Sequence, residues 1–465
     1  MRPGRKSKLS GGFGGNRRTI AENNELSIIS MQFCRSHGSA CCNIIFMQHM
    51  KCVSHYEIAR GELGMPANGK TGLPLEGIRV LDISRVLTGP FCTMILGDLG
   101  AEVIKVEMPG VGDETRAWGP PFVGGESAYY LSINRNKKSI TVNMKDPRGR
   151  EIIYRLARQA DVMVENFLPG TARRLGVDYE TIREINPRII YCSLSGYGQD
   201  GPCAQQPAYD LLMQGEGGLM SITGLRDGEP VRIGVALVDI GAGMYAVIGI
   251  LAALLARRET GRGQYIDVSL LDTEVSWLSY AASNYFASGK NPVPMGSAHP
   301  SIVPYRAFRA KDRYFILAVG NDAIWQRFCK AMGLEHLADD PRFVTNEMRV
   351  KHREELESLL AEIFATEEAA HWINLLQEHR VPCGPINAIS EVVSHPQVLH
   401  RGMVVEMDHP QAGKVKVVGN PIHFGEFSVQ YRLPPPLLGQ HTREVLRELG
   451  YNEEEIEELK AGGVI

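Results

Sequence analysis

Signature motifs of several enzyme classes are absent from this sequence of 465 residues. It contains no Cys-x-x-Cys pair, and its nine cysteines are scattered, which argues against zinc ribbons and redox pairs and predicts reduced thiols in an intracellular protein. It contains no His-Glu-x-x-His motif and no Gly-x-Ser-x-Gly turn, which argues against a zinc peptidase and a serine hydrolase. We therefore predict no metal site.

Long runs of one charge and long apolar runs are also missing. The formal net charge is -3 and no long basic block occurs, so nucleic acid is not an expected partner. The longest uncharged stretch, residues 240–256, is near the lower length limit of a membrane span. It contains three glycines and is followed by Arg257-Arg258, so we interpret it as a core helix and expect no membrane partner.

Residues 1–72 differ in character from the rest of the chain. Six basic residues precede the first acid, Glu22. We expect a leader or a disordered extension, and three interpretations stay open: a mitochondrial transit peptide, a disordered tail, or an upstream start with Met65 as the true first residue. The acids and the four cysteines of this segment fit an Arg-rich amphipathic helix poorly. The cytoplasm is therefore the predicted location, with the mitochondrial matrix as the alternative.

From Pro74 onward, short β-branched runs alternate with helical patterns. We predict strands at 78–83, 102–107, 139–143, 161–165, 189–194 and 263–269, which indicates a mainly parallel sheet with right-handed crossovers. Residues 289–304 are rich in Gly, Pro and Ser and predict a linker. Beyond it we predict a strand at 314–319, helices at 323–332 and 353–363, a chain break at 381–385, strands at 404–407 and 414–418, and a final helix at 442–449.

Asp239 follows an apolar run and opens a Gly-rich helix, which allows three interpretations. Aspartate is a favoured helix N-cap. It is also a carboxylate nucleophile in some enzymes, and Gly241 and Gly243 would then give a bulky thioester room to approach. The stretch 241–246, with Asp267 further along, resembles a dinucleotide fingerprint. Of the other Gly-rich stretches, we assign 64–71 to chance and 196–201 to a turn, because a helix cannot open after either.

Scattered basic residues are the alternative to a Gly loop for holding the phosphates of a nucleotide. The candidates in this sequence are Arg116, Arg135, Lys137, Lys138 and Arg174.

Six motifs between Pro74 and the C-terminus, taken together, resemble the class III CoA-transferases, the family of formyl-CoA transferase and carnitine CoA-transferase. The motifs keep the order and spacing of that family, and the combination is specific although each motif alone is weak. They are Pro74-Leu-Glu-Gly-Ile-Arg-Val-Leu-Asp82, Gly97-Asp-Leu-Gly-Ala-Glu-Val-Ile-Lys-Val-Glu107, Asn136-Lys-Lys-Ser139, Val164-Glu-Asn-Phe167, Ser195-Gly-Tyr-Gly-Gln-Asp-Gly-Pro202 and Leu437-Leu-Gly-Gln-His-Thr442.

The resemblance implies an α/β fold with a Rossmann-like large domain, a smaller α+β domain and an interlaced homodimer. We accordingly expect the first part of the large domain at 73–285 and the small domain with its linkers at 286–385. Residues 386–465 are then a C-terminal segment that returns to the large domain.

The resemblance also implies the site residues. Asp239 matches the nucleophile, which takes precedence over the cap and dinucleotide interpretations. Tyr129 and Tyr209 match tyrosines that line the active site. No permanently bound cofactor is implied, because coenzyme A thioesters are substrates and small carboxylic acids are partners. The expected contacts with coenzyme A are Arg85, Val86, Val142, Asn166, Phe167 and Arg174.

Further stretches resemble one branch of the family, which exchanges CoA between succinyl-CoA and glutarate. These are residues 118–124, 134–139 and 298–305. Leu87 stands where the formyl enzyme carries Gln, and its run of four glycines is missing, which argues against formyl and oxalyl substrates. We expect an aspartyl-CoA thioester, with succinyl-CoA as donor and glutarate or a related dicarboxylate as acceptor.

Three alternatives to this expectation stay open. The first is a CoA-transferase for another carboxylic acid. The second is an α-methylacyl-CoA racemase, which carries a His base where this chain has Tyr209, a residue whose ordinary pKa is about 10. The third is a non-catalytic CoA-binding protein, although retention of Asp239 argues against it.

Overall fold

The computed structural model describes residues 72–465, so the expected leader, the Gly-rich stretch 64–71 and Met65 lie outside the described residues. The strands of the described part, in chain order, are β1 (Arg79–Asp82), β2 (Glu102–Glu107), β3 (Phe122–Val123), β4 (Glu126–Ser127), β5 (Lys137–Thr141), β6 (Val162–Glu165), β7 (Ile190–Ser195), β8 (Gln264–Ser269), β9 (Tyr305–Arg309), β10 (Tyr314–Ala318), β11 (Cys383–Pro385), β12 (Val404–His409) and β13 (Gly413–Val418).

The helices of the same range include a short 3-10 turn at Glu114–Ala117. The α-helices are α1 (Thr88–Asp98), α2 (Ala128–Ile133), α3 (Pro147–Gln159), α4 (Thr171–Leu175), α5 (Tyr179–Ile185), α6 (Asp210–Glu216), α7 (Leu219–Ile222), α8 (Leu237–Thr260), α9 (Leu270–Trp277), α10 (Ser279–Ser288), α11 (Asp322–Met332), α12 (Glu335–Ala338), α13 (Asn346–Lys351), α14 (Arg353–Phe364), α15 (Ala369–Glu378), α16 (Ile389–Ser394), α17 (Pro396–His400), α18 (Thr442–Glu448) and α19 (Glu453–Ala461).

The central sheet has six strands in the order β5-β2-β1-β6-β7-β8, and every neighbouring pair is parallel. If these six strands are numbered along the chain, the order reads 3-2-1-4-5-6, which is the order of dinucleotide-binding doubly wound folds. The predicted α/β fold with a mainly parallel sheet is confirmed. The order reverses between β1 and β6, and ligands of such sheets bind at this switch point, beyond the carboxyl ends of the strands.

Two hydrophobic cores cover the two faces of this sheet. Successive strand residues point to opposite faces, so Val80 joins one core and Leu81 joins the other. The first core includes apolar residues of α1 and α8, and the second includes residues of α3, α18 and α19. The C-terminal residues reach the second core through Ile456, Leu459 and Val464.

A separate antiparallel sheet, in the order β11-β10-β9, has its own core between Val303 and Val381. The predicted chain break at 381–385 is wrong in part, because Cys383–Pro385 pairs with β10 as an edge strand. Proline is tolerated there, since an edge strand has one side without ladder hydrogen bonds. The helix at 442–449 is not the last one, because α19 follows it with a capping box of Asn452 and Glu455.

Helix α8 is, within residues 72–465, the one helix long and apolar enough to cross a membrane by length and composition. It contacts α1, α9, β7 and β8. These contacts agree with the interpretation of this stretch as a core helix.

Candidate active site

Two loops meet at the switch point of the central sheet, and both carry residues expected to contact coenzyme A. The loop after β1 contains Arg85 and Val86, and the loop after β6 contains Asn166 and Phe167. The backbone N–H of Arg85 donates to Asn166 Oδ1 at 2.9 Å, and Asn166 Nδ2 donates to the carbonyl oxygen of Arg85 at 2.7 Å. Because these two bonds are reciprocal, they fix one loop against the other.

The loop after β1 contains a strained residue, and a buried ion pair forms hydrogen bonds with the backbone of this loop. Val86 has a φ of 68°, which is rare for a β-branched residue, and its N–H lies 3.2 Å from Asp113 Oδ2. Asp113 pairs with Lys105 at 2.9 Å, with both side chains inaccessible to solvent. Lys105 Nζ also donates to the carbonyl oxygen of Ser84 at 2.9 Å. Asp113 therefore binds a backbone N–H of the loop, and Lys105 binds one of its carbonyl groups.

The electrostatics of this ion pair favour its charged form. Burial disfavours the charge on Lys105, but the carboxylates of Asp113, Asp82 and Glu107 outweigh it and raise the pKa of Lys105. Burial likewise opposes ionisation of Asp113, but Lys105 and the hydrogen bonds from Thr115 lower its pKa. The pair is therefore ionised at neutral pH.

The other two expected coenzyme A contacts lie outside the loops after β1 and β6. Val142 follows β5, which lies two strands from β1, and its side chain is buried in the second core. Its N–H donates to the carbonyl oxygen of Glu107, so only its own carbonyl group is left for a ligand. Arg174 lies on α4, after the β6 loop, and is exposed on the surface.

Two of the arginines considered for phosphate binding are committed to the fold. Arg116 binds Glu107 through two hydrogen bonds of 2.7 and 2.8 Å. Arg135 binds Asp98 in the same two-pronged way, at 2.9 and 2.6 Å, and is buried. Such bidentate pairs are strong and geometrically specific, so neither guanidinium is free for a phosphate.

The two lysines of that set are committed as well. Lys137 is fully buried, and its ammonium lies 3.2 Å from Asp82. Burial lowers the pKa of Lys137 to about 8 despite this carboxylate. Lys138 binds Glu444 at 2.8 Å and further acids around it. Of the five basic candidates, only Arg174 keeps its charge at the surface with no ion pair among the described residues.

Asp239 lies in the first turn of α8 but does not cap that helix. The N-cap residue is Ala236, and no side chain of the helix's own N-terminus accepts its amides. The carboxylate of Asp239 instead accepts a short hydrogen bond from the hydroxyl of Thr88, the first residue of α1. The N-cap interpretation from sequence is therefore wrong.

The environment of Asp239 makes its carboxylate unusually basic. Burial has the largest effect on its pKa, and the neighbouring carboxylate of Asp210 acts in the same direction. The hydrogen bond from Thr88 opposes both, and the net result raises the pKa to about 6. Asp239 is therefore ionised at neutral pH, but its environment disfavours the ionised form more than water does for an ordinary aspartate.

The glycines after Asp239 serve helix packing. A Cβ on Gly241 would lie 1.9 Å from the indole ring of Trp277, and one on Gly243 would lie 2.7 Å from the carbonyl oxygen of Thr88. The space beside these two glycines is thus occupied by Trp277 of α9 and by the backbone of α1. The glycines do not form a phosphate loop, so the dinucleotide interpretation is wrong. The Cβ side of neither glycine provides room for a thioester, and the interpretation of Asp239 as a nucleophile does not depend on that side.

The two expected active-site tyrosines differ in their placement. Tyr129, in the first turn of α2, packs edge-on against Trp118 with ring centroids 5.1 Å apart. Burial and then the charges of Asp239 and Asp210 raise the pKa of Tyr129 to about 12, so this phenol stays neutral beside the candidate nucleophile. Tyr209 directly precedes α6 and is 64% exposed.

Sequence reasoning missed a carboxylate beside Asp239. Asp210 accepts hydrogen bonds from the backbone N–H groups of Val238 at 2.8 Å and Asp239 at 3.4 Å. Gln214, one turn further along α6, donates to Asp210 at 2.6 Å. The spacing of Asp210 and Gln214, four residues apart on a helix, was the signal present in the sequence.

A second missed carboxylate, Glu165, ends β6 directly before the Asn166 loop. It accepts the N–H of Phe167 at 2.8 Å and a short hydrogen bond from the hydroxyl of Ser193. Burial is the main effect on its pKa, which is raised to about 7. Glu165 therefore anchors the start of the loop that carries Asn166 and Phe167.

Metal-ligating side chains do not cluster in the described range. Between residues 72 and 465, no group of three or more His, Cys, Asp or Glu side chains is arranged to hold a metal ion.

Comparison with known proteins identifies the family. A sequence profile of CoA-transferase family III matches residues 75–442, which is most of the chain. The chain is 51% identical to the succinyl-CoA:glutarate CoA-transferase of Mus musculus, over 84% of this chain and 90% of the mouse protein. It is 43% identical to the succinate–glutarate CoA-transferase of Agrobacterium fabrum, over 81% of this chain and 96% of that protein.

A solved structure agrees with this result. A CAIB/BAIF family protein from Brucella suis is 42% identical and superimposes with a TM-score of 0.73, covering 81% of this chain and 99% of that one. The parallel sheet, the switch-point loops and the matched profile lead to one conclusion. The chain belongs to CoA-transferase family III and is an enzyme of that class.

Proposed function

We propose that this enzyme transfers coenzyme A from succinyl-CoA to glutarate or a related dicarboxylate through a thioester on Asp239. The observation that carries the proposal is the state of Asp239, a largely buried carboxylate with no compensating cation among the described residues, bonded to Thr88 and not used as a cap. The names of the mouse and Agrobacterium relatives support the choice of substrates.

The first half of the reaction loads coenzyme A onto the enzyme. A carboxylate oxygen of Asp239 attacks the thioester carbon, so a C–O bond forms, the C–S bond breaks and CoA leaves as the thiolate. The thiolate then attacks the aspartyl carbonyl of the resulting anhydride. That C–S bond forms as the C–O bond to the donor breaks, and the donor acid leaves as a carboxylate.

The second half delivers coenzyme A to the acceptor. The acceptor carboxylate attacks the aspartyl thioester and expels the thiolate, giving a second anhydride. The thiolate attacks the acceptor acyl carbon and releases Asp239 as a carboxylate. No proton, metal or nucleotide is consumed in this sequence. Water must be excluded, because hydrolysis of an anhydride would lose the thioester. Tyr129, a half-buried ring close enough to Asp239 for that charge to raise its pKa, supports such exclusion.

We propose that coenzyme A enters at the switch point between β1 and β6. Arg85, Val86, Asn166 and Phe167 would contact it, because the two loops that carry them are bonded together where such sheets bind ligands. Arg174 would supply a charge for a phosphate from the adjoining helix. Tyr129 and Tyr209 would line the acyl pocket, and Val142 would act through its carbonyl group.

We propose a homodimer of interlaced chains, in which residues 73–285 and 386–465 form the large domain and residues 286–385 the small one. The separate core of the second sheet and the packing of the C-terminal helices on the first sheet support this division. We keep the cytoplasm as the proposed location and the mitochondrial matrix as the alternative. N-terminal sequencing of the native protein, together with cell fractionation, would distinguish the two.

The nucleophile is tested by replacing Asp239 with Ala. Transfer should fall to background in this variant, since the covalent route is lost. Wild type incubated with succinyl-CoA should gain the mass of CoA less one water, and hydroxylamine should convert that adduct to a hydroxamate at Asp239. Asp272→Ala is the matched control, because Asp272 is an exposed carboxylate in the first turn of the neighbouring helix α9. Normal transfer by Asp239→Ala would rule the mechanism out.

The substrates are tested with a panel of acyl-CoA donors against free acids, read by mass spectrometry in deuterated buffer. Succinyl-CoA with glutarate should give the highest kcat/KM. A clear preference for formate, oxalate or carnitine would contradict the choice of substrates. Deuterium incorporation next to the thioester of a 2-methylacyl-CoA, without transfer, would indicate a racemase instead.

A further inference from the structure

The N-terminus of α8 is closed by a side chain from another helix. Since Ala236 at the N-cap has no polar side chain, the first amides of α8 need an acceptor from elsewhere. Asp210, at the start of α6, supplies it by accepting the N–H groups of Val238 and Asp239 through Oδ1. Its other oxygen, Oδ2, accepts Gln214 Nε2. Both carboxylate oxygens are therefore committed.

Gln214 extends this arrangement to the segment that leads into α8. Its side chain is fully buried, and its Oε1 accepts the N–H of Ile233 at 2.8 Å while its Nε2 donates to Asp210 at 2.6 Å. The chain from Ile233 to Asp239 is thus tied at both ends to α6. A change in the position of α6 would therefore move the carboxylate of Asp239.

We propose that Asp210 is a positioning residue for CoA transfer: its carboxylate closes the first turn of α8 and fixes where Asp239 presents its own carboxylate. This inference rests on the proposed function of Asp239. Asp210 itself is buried and makes no contact that would let it attack a substrate while it closes the helix. It therefore acts through Asp239.

The charge of Asp210 adds an electrostatic role to the geometric one. Burial and then this like charge raise the pKa of Asp239 to about 6. When Asp239 becomes an anhydride or a thioester it loses its negative charge, and the repulsion between the two carboxylates disappears. The repulsion is thus present before the attack and relieved during it, so it favours acylation.

Few other groups reach Asp239 from the elements around it. From α1, Thr88 donates its hydroxyl proton and lowers the pKa of Asp239. From α2, Tyr129 is neutral at the pH of interest, since its pKa is raised to about 12. From α9, the buried Glu274 interacts with Asp210, and burial and then Asp210 raise its pKa. Within residues 72–465, Asp210 is therefore the one charge whose removal should change the titration of Asp239.

The test exchanges the two side chains in the double variant Asp210→Asn, Gln214→Glu. An Asn at 210 can accept the amides of α8 through Oδ1 and donate to the Glu at 214, whose other oxygen accepts the N–H of Ile233. The hydrogen bonds and the net charge are kept, while the negative charge moves away from Asp239. The acid limb of the kcat/KM–pH profile should then shift to lower pH by about half a unit or more, and kcat should fall.

Two single variants complete the experiment. Thr88→Val removes the donor to Asp239, so its acid limb should shift to higher pH, in the direction opposite to the exchanged pair. Asp210→Ala leaves the amides of α8 without their acceptor and should lower kcat roughly ten- to a hundredfold with KM less affected. Asp210→Glu should recover part of that loss. Thermal melts of each variant verify that the fold is kept.

The outcomes separate this inference from the proposed function. A folded Asp210→Ala variant with the wild-type kcat would overturn the positioning role of Asp210. A folded exchanged variant with the wild-type pH profile would overturn its electrostatic role. Neither result bears on the nucleophile, which is tested by the adduct on Asp239. Transfer that survives Asp239→Ala would instead remove the proposed function itself.

Discussion

Three buried carboxylates of the fold have a cationic partner, which Asp239 lacks within the described part of the chain. Asp82, Glu107 and Asp113 each pair with a lysine or an arginine, and each has a lowered pKa. Among the described residues no cation lies within ion-pair distance of Asp239, and its pKa is raised. A carboxylate that the fold leaves uncompensated is typical of a functional site, because stability alone would favour its replacement.

The uncompensated charge predicts that Asp239→Asn stabilises the fold. The pKa of Asp239 is about 6 in the fold against an ordinary 3.8, so the fold favours the protonated form. The protonated carboxyl group of Asp239 thus stabilises the fold relative to the ionised form. This stabilisation is fully present below pH 3.8 and is lost as pH rises through about 6. Asn should therefore raise the free energy of unfolding by on the order of 2 kcal/mol at pH 8 and by roughly half as much at pH 5.

Urea unfolding at the two pH values measures this difference, and Asp272→Asn serves as the control for an exposed carboxylate in a helix's first turn. Equal stabilisation at pH 5 and pH 8 would contradict the electrostatic cause, because an effect of packing alone does not depend on pH. Loss of stability at pH 8 would contradict the prediction itself.

The loop after β1 contains a strained residue, Val86, whose backbone is held in place by the buried ion pair of Lys105 and Asp113. A left-handed conformation costs an ordinary residue about 1–2 kcal/mol, and Val86 adopts one with its N–H directed at the buried carboxylate of Asp113. Strain of this kind is concentrated at ligand-binding segments, where the surrounding structure over-determines the backbone. The proposed coenzyme A contact at Val86 agrees with this tendency.

Replacement of Val86 by two small residues separates the strain from the packing of its side chain. Gly and Ala both remove the isopropyl group, but only Gly adopts a positive φ without cost. Val86→Gly should therefore be more stable than Val86→Ala by about 1 kcal/mol. At Val111, an exposed loop residue without a positive φ, the order should reverse, since Gly costs more conformational entropy. Urea unfolding of the four variants checks the prediction, and an Ala variant at 86 as stable as Gly would contradict it.

The strands that could be predicted from sequence are those with β-branched apolar residues on both faces. β2 matches its predicted bounds because Val103 joins the first core and Ile104 and Val106 join the second. β5 begins two residues before its prediction, because Lys137 and Lys138 suggest a loop, whereas Lys137 lies inside the fold beside Asp82. Lysine is rarely buried without a partner, and that partner is distant in sequence.

The candidate site was predictable in part for a similar reason. Asp239, the β1 loop and the β6 loop carry local sequence patterns, and parallel strands bring their carboxyl ends together without further information. Asp210 and Thr88 could not be connected with Asp239, since they are 29 and 151 residues away along the chain. Only the packing of α1 and α6 against α8 brings them together, and a single sequence does not encode that contact in any local pattern.

At the scale of the whole molecule, α8 has an apolar face that the described part of the chain leaves uncovered. The exposed residues recur along one side of the helix, with Ile248 at 60% and Leu255 at 66% exposure. They are Met244, Tyr245, Ile248, Leu251 and Leu255. The opposite side packs on α1, α9 and the sheet. Contiguous apolar surface of this kind marks an interaction site, and a second copy of the chain in the proposed dimer would cover it.

The proposed dimer therefore predicts that a charge on this face prevents assembly. Wild type should have twice the mass of one chain by light scattering, and it should keep that mass on dilution because linked rings separate only by partial unfolding. Ile248→Asp places an unpaired charge in the interface, so the variant should be monomeric or aggregated. Arg258→Asp, an exposed change near the end of the same helix, should leave the dimer intact. A wild-type monomer at micromolar concentration would contradict the assembly, and an Ile248→Asp dimer of normal stability would show that another surface forms it.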